Sequence, residues 1–134
     1  MLRYIEDSEY LQLVELYIKM VKSIEIYKDK PIPAIVVELT SQLPKAGFFA
    51  IGDFKDDKLV GFICGYNETN KIWFQSGLFH SIPHRVLKLI KMAEDRLAVL
   101  GYSHWTTEYG KQDNRCLAPK LGAKVQIIKY IKEI

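Results

Sequence analysis

Cysteine is scarce in this chain. Cys64 and Cys116 are the only two in 134 residues, one inside a β-rich run and the other beside a helical one. Two thiols in such dissimilar contexts build neither a metal site nor a disulfide framework, so reduced thiols are expected. No apolar run reaches the ~20 residues of a membrane span before Lys, Glu or Gly breaks it. The opening Met1-Leu2-Arg3-Tyr4-Ile5-Glu6 has no signal-peptide core, and a cytoplasmic location is the expectation. Charge blocks are missing too. The 19 basic and 16 acidic residues are dispersed and sum to +3, whereas a dedicated nucleic-acid protein is more basic and more clustered. No Ser-His-Asp or Cys-His arrangement, Walker loop or metal-ligand spacing is evident.

What is present suits one compact domain, residues 1–134, with enough apolar content for a single core. Leu2 to Ile5 reads as a short strand. Asp7-Ser8-Glu9 supplies an N-cap for a helix over Ser8 to Lys22, with Leu11, Val14, Ile18 and Val21 at helical spacing. Pro31-Ile32-Pro33 closes an ordered loop from Ile24, and a second helix runs from Ala34 to Leu43. From Gly47 the period becomes that of strands. Phe48 to Asp53, Leu59 to Tyr66 and Ile72 to Phe79 are β-rich and separated by polar turns, so three antiparallel strands are predicted.

A helix then begins at Ser81-Ile82-Pro83-His84-Arg85, carries Val86, Ile90, Ala93, Leu97 and Leu100 as its apolar stripe, and stops at Gly101. Tyr102 to Thr107 is the next strand. A crossover helix between strands implies parallel neighbours or nearly so. Asn114 to Leu121 reads as a short helix and Lys124 to Ile134 as a final strand, whose Lys124, Lys129 and Lys132 would form a basic edge or protect it against strand pairing, and whose edge, if exposed, would support a homodimer.

The order β-α-α-β-β-β-α-β-α-β resembles the GNAT superfamily of acetyltransferases over nearly the whole chain. The points of similarity are Asp57-Lys58-Leu59-Val60-Gly61-Phe62, the helix from Ser81 to Gly101, and Asp113-Asn114 followed by Lys120-Leu121-Gly122-Ala123. The resemblance implies an α/β (α+β) fold, a mixed and mostly antiparallel sheet flanked by about four helices. It also implies acetyl-CoA as co-substrate and an amine, on a small molecule or a protein, as acceptor. The family's pyrophosphate loop corresponds to His80-Ser81-Ile82-Pro83-His84-Arg85-Val86, where both family glycines are missing. The family's tyrosine acid would fall on Ala118 and is not carried over.

On this resemblance the cofactor-binding candidates are Leu78, Phe79, Ser81, His84, Arg85, Val86 and Asn114. Leu78 and Phe79 would offer strand backbone to the pantetheine amide. His84 and Arg85 place cationic side chains in a helix's first turn, where the dipole disfavours them unless an anion or an acidic neighbour is close. Acetyl transfer needs a base and a proton donor. Glu108 and Tyr109, at the end of the strand after the long helix, are the candidate pair, with His80 the alternative base. Two functions follow: an acyl-CoA-dependent N-acyltransferase acting by direct attack of the amine, or a GNAT-like interaction or structural protein without cofactor, a phage protein among the options.

Overall fold

The computed structural model describes residues 1–24, 27–108, 124–126 and 129–134. Strand β1 (Leu2–Tyr4) leads into helices α1 (Tyr10–Lys22) and α2 (Ile32–Thr40), and three strands follow, β2 (Phe49–Lys55), β3 (Lys58–Thr69) and β4 (Ile72–His80). Helix α3 (Val86–Val99) crosses to β5 (His104–Glu108), and β6 (Lys124–Gln126) and β7 (Lys129–Glu133) close the order. The seven strands form one sheet in the order β1-β2-β3-β4-β5-β7-β6. Every pairing is antiparallel except β4 with β5, the pair that α3 connects.

Alternation along the strands sends side chains to two cores. On one face Ile51, Ile63, Trp73 and Trp105 pack under Leu89, Ile90, Ala93 and Leu97 of α3. On the other, Ala50, Phe54, Phe62 and Cys64 pack under Leu13, Tyr17 and Val21 of α1 and Ile35 and Leu39 of α2. The β2–β3 hairpin turns on Asp56 and Asp57, at φ 53° and 62°, because a two-residue loop matching the strand twist needs both residues left-handed. Asp tolerates that conformation better than most residues.

The structure revises the predicted elements in four places. Helix α1 is entered through a 3-10 turn, Asp7–Glu9, and its cap is Glu6, which forms a reciprocal capping box with Glu9. The Arg3 guanidinium, bonded at 2.7 and 2.6 Å, and the Glu6 N–H push the Glu9 carboxyl down to about 2. The buried stripe of α1 is Leu13, Tyr17 and Val21, while Leu11 is 75% exposed. Two overlapping stripes fit helical spacing here, and the one carrying Tyr17 wins because its hydroxyl has polar partners beneath the helix. Helix α2 starts two residues early, with Pro33 in its first turn where a missing N–H costs nothing.

The predicted final strand is two strands, β6 and β7, paired antiparallel. The Lys132 ammonium in β7 bonds Glu94 of α3, which also accepts the Trp105 indole N–H at 2.8 Å. Lys132 therefore ties β7 to α3 instead of guarding an edge. The predicted helix from Asn114 to Leu121 lies outside the described residues, among which there are three α-helices. No helix among the described residues is long and apolar enough to cross a membrane.

Replacing Ile90, 4% exposed on the inward face of α3, by Ala is expected to cost about 2–5 kcal/mol of unfolding free energy in urea titrations. Leu11→Ala, on the solvated side of α1, should change it by no more than ~0.5 kcal/mol. Equal effects would contradict the observed helix faces.

Candidate functional site: the β4 edge and the β4–α3 corner

Strand β4 pairs with β5 through three residues only, Ile72 with His104, Trp73 with Trp105 and Phe74 with Thr106. One step further the Thr107 hydroxyl bonds the Gln75 carbonyl at 3.4 Å, and beyond it the described residues show no further β4–β5 bond. The divergence has a local cause. On its other side β4 pairs Gly77 with Cys64 and Gln75 with Gly65, so Ser76 is an extra residue that bulges the strand. Ser76 on β4 and Glu108 on β5 each stand two residues past the last β4–β5 pair.

Past this point the outer edge of β4 has no strand partner among the described residues, and it carries backbone donors. The Ser81 N–H points to the Val60 carbonyl of β3, and since N–H direction alternates along a strand, those of Leu78 and His80 point the other way, into the opening. The Leu78 N–H meets the Met20 thioether at 3.3 Å, a weak acceptor.

At the end of β4 a second arrangement fixes the turn into α3. Asp53, Gly61 and His80 lie side by side across β2, β3 and β4, on the α3 face. The buried Asp53 carboxylate accepts from His80 Nε2 at 2.8 Å, Arg85 Nε at 2.9 Å and the Met1 ammonium at 3.2 Å. Burial opposes this charge, but the bonds from His80, Arg85 and the amino group outweigh it and hold the carboxyl well below its usual range. Gly61 makes the row possible: a Cβ there would stand 2.2 Å from His80 Cδ2.

The donors of this corner are used by the protein itself. His80 Nδ1 accepts the Ile82 N–H at 2.8 Å, which places the ring proton on Nε2. The Ser81 N–H and hydroxyl both donate to the Val60 carbonyl, at 2.9 and 3.0 Å. The Arg85 N–H bonds Ile82 and the Val86 N–H bonds Pro83, whose own ring nitrogen has no hydrogen. A glycine loop would turn such groups outward, whereas here they are turned in.

These contacts sort the predicted site residues. His80 is not free to act as a base, because its buried ring spends one nitrogen on Asp53 and the other on Ile82. Ser81 and Val86 have no backbone donor left for a ligand, and Phe79 packs into the α1–α2 core. Leu78 presents its N–H to the opening. Arg85 pairs with Asp53 through Nε alone, and among the described residues its Nη atoms make no bond. His84 is exposed beside it. Glu108 ends β5, while Tyr109 and Asn114 lie outside the described residues. Asp53 and Ser76 were missed by sequence reasoning. Asp53 left a signal, a charge in phase with Ile51 at an inward strand position. A groove of about 570 Å³ between Tyr4, Tyr10, Phe48 and Phe49 lies at the β1–β2 side of the sheet and includes none of these residues.

This sheet, with its one parallel pair joined through α3, has the fold of solved GNAT acetyltransferases. The chain superposes along its full length on PaiA N-acetyltransferase from Thermoplasma acidophilum in complex with coenzyme A, with TM-score 0.77, 17% identity and 98% of that chain covered. Aminoglycoside 6'-acetyltransferase type Ii matches over 99% of this chain and 96% of its own, with TM-score 0.73 and 17% identity. A GNAT family acetyltransferase from Brucella melitensis in complex with acetyl-CoA matches all of this chain and 87% of its own, with TM-score 0.72 and 10% identity. No family model and no curated protein matches the sequence.

Two outcomes test the corner. Gly61→Ala should cost about 1–3 kcal/mol through its clash with His80, and less in a His80→Ala background, as a double-mutant cycle in urea would show. Because the bonds to Asp53 hold its folded carboxyl below the ordinary aspartate range, they stabilise the fold fully at and above that range and are lost as pH falls through the folded value. Asp53→Asn should therefore remove part of the stability at neutral pH and flatten its decline in acid.

Proposed function

We propose that the protein is an acyl-CoA-dependent N-acyltransferase that transfers an acetyl group to an amine by direct attack. The observation that carries this reading is the open β4 edge, where the Leu78 N–H is met only by a thioether among the described residues. A pantetheine amide carbonyl is a better acceptor, and the adaptable Met20 side chain can give way to it. Strand-like addition along this edge would lead the thioester toward Ser76 and the phosphates toward α3. At that end side chains replace the missing glycine loop: the free face of the Arg85 guanidinium and His84 meet the anion, supported by the helix dipole.

Acetyl-CoA supplies the activated thioester. The amine nitrogen forms a bond to the acyl carbon as the carbon–sulfur bond breaks. One amine proton leaves, and the thiolate takes up a proton to depart as the thiol. Glu108, level with the bulge across the opening, is the proposed base, and Tyr109 beside it in sequence the proposed acid. The fold is shared with an aminoglycoside 6'-acetyltransferase, which supports an amine of a small molecule or a polypeptide as the acceptor.

Calorimetry with acetyl-CoA tests the binding half: Arg85→Ala should weaken affinity about tenfold, the loss of a charge-assisted contact. In an assay of thiol release with kanamycin, benzylamine and a peptide with a free amino terminus, Glu108→Gln should lower kcat about 10²- to 10⁴-fold and leave acetyl-CoA affinity nearly unchanged. A folded wild-type protein that binds no acetyl-CoA at millimolar concentration would overturn the enzyme and favour a protein that works through its surface.

A further inference from the structure

The α1–α2 core contains a row of polar side chains that the proposed reaction has not used. It runs from the surface to the β4 bulge. Lys30 Nζ donates to Glu38 Oε2 at 2.5 Å, and Tyr17 Oη donates to Glu38 Oε1 at 3.0 Å. Gln42 Nε2 donates to Tyr17 Oη at 3.2 Å, and Ser76 Oγ donates to Gln42 Oε1 at 2.5 Å. Cys64 Sγ lies 3.5 Å from Ser76 Oγ. Tyr17 and Gln42 are 1% and 5% exposed, and such groups are costly to bury unless each finds its partner.

The direction of every bond in this row follows from its outer end. A carboxylate only accepts, so Tyr17 must donate to Glu38. Burial first, and then the Glu38 charge, hold the Tyr17 phenol above its ordinary range, so it keeps that proton. With its one hydrogen spent, the phenol oxygen accepts, and the group facing it must be the Gln42 amide nitrogen. The amide oxygen then faces Ser76, which must donate to it in preference to the Cys64 carbonyl at 3.4 Å. The Cys64 thiol, pushed up to about 12 by burial, stays protonated and donates to Ser76. Ser76 is left with no hydrogen to offer and, among the described residues, one lone pair without a donor, at the first position past the last β4–β5 contact they show.

We infer that Ser76 Oγ is a hydrogen-bond acceptor for the attacking amine, and that Glu38, Tyr17 and Gln42 are positioning residues that fix its polarity. This rests on the acyltransferase reading. A primary amine has two N–H groups: one proton passes to the base, and the other donates to Ser76, which aims the lone pair at the acyl carbon. A secondary amine has only one and must forgo one of these contacts. The row therefore selects primary amines.

The test is acetyl transfer to benzylamine and to N-methylbenzylamine by the full chain. Wild type should favour benzylamine in kcat/KM. Ser76→Ala should reduce that preference about tenfold, raise KM for benzylamine and leave acetyl-CoA affinity unchanged, as loss of one hydrogen bond in the transfer complex requires. Glu38→Gln, at the surface end, lets the row reverse and should reduce the preference about threefold with an unaltered melting temperature. A preference unchanged in Ser76→Ala, with wild-type transfer intact, would overturn this role alone. No transfer by the wild type to either amine would overturn the acyltransferase reading and this role with it.

Discussion

The broken ladder of β4 is the constraint on which the remaining architecture depends. A strand with an antiparallel neighbour on one side and a parallel one on the other would normally satisfy both its edges. Here the extra residue at Ser76 turns the second half of the strand away from β5. Backbone donors in that half need other partners, and Met20 from α1 reaches one of them. The same divergence sets where α3 begins, because β4 keeps its pairing with β3 as far as Gly61 and His80 and the chain must turn there.

Two buried polar arrangements stabilise this strand from opposite faces, and they work differently. On the α3 face a single carboxylate gathers three donors, and the low-dielectric site strengthens each bond while making the charge intolerant of losing one. On the α1–α2 face no member but the outer Lys30–Glu38 pair is charged, and the row transmits direction instead. One fixes the position of a helix start and the other the polarity of a hydroxyl. Both are specified by one-way donor and acceptor chemistry more than by packing.

The corner at α3 also accounts for a sequence that departs from the pattern it resembles. A glycine loop presents backbone donors outward, but Pro83 supplies none and the N–H groups of Ser81, Ile82, Arg85 and Val86 are bonded inward. Arg85 sits in a first turn that disfavours a cation, and Asp53 offsets that cost. The turn is thus built from side chains, with the remaining guanidinium atoms as its outward face.

Hydrophobic periodicity by itself determined the element order from β1 to β5, the three antiparallel strands, the crossover helix and its stripe from Val86 to Leu97, because these depend on contacts between near neighbours in sequence. It placed Leu11 on the inward stripe of α1, where the structure has Leu13 and Tyr17, because both sets fit helical spacing. It also joined β6 and β7 into one strand. The site was legible only in part. Arg85 and Glu108 stood out by their place at element ends and Leu78 through the resemblance, but pairing Arg85 and His80 with Asp53 requires three strands to be in register. The role of Ser76 requires more: a bulge that no local pattern announces, with Tyr17 of α1, Glu38 of α2 and Gln42 of the turn after α2 brought over it. Those associations span 21 to 34 residues of chain and are made by sheet register and helix packing, so only the tertiary structure could decide them.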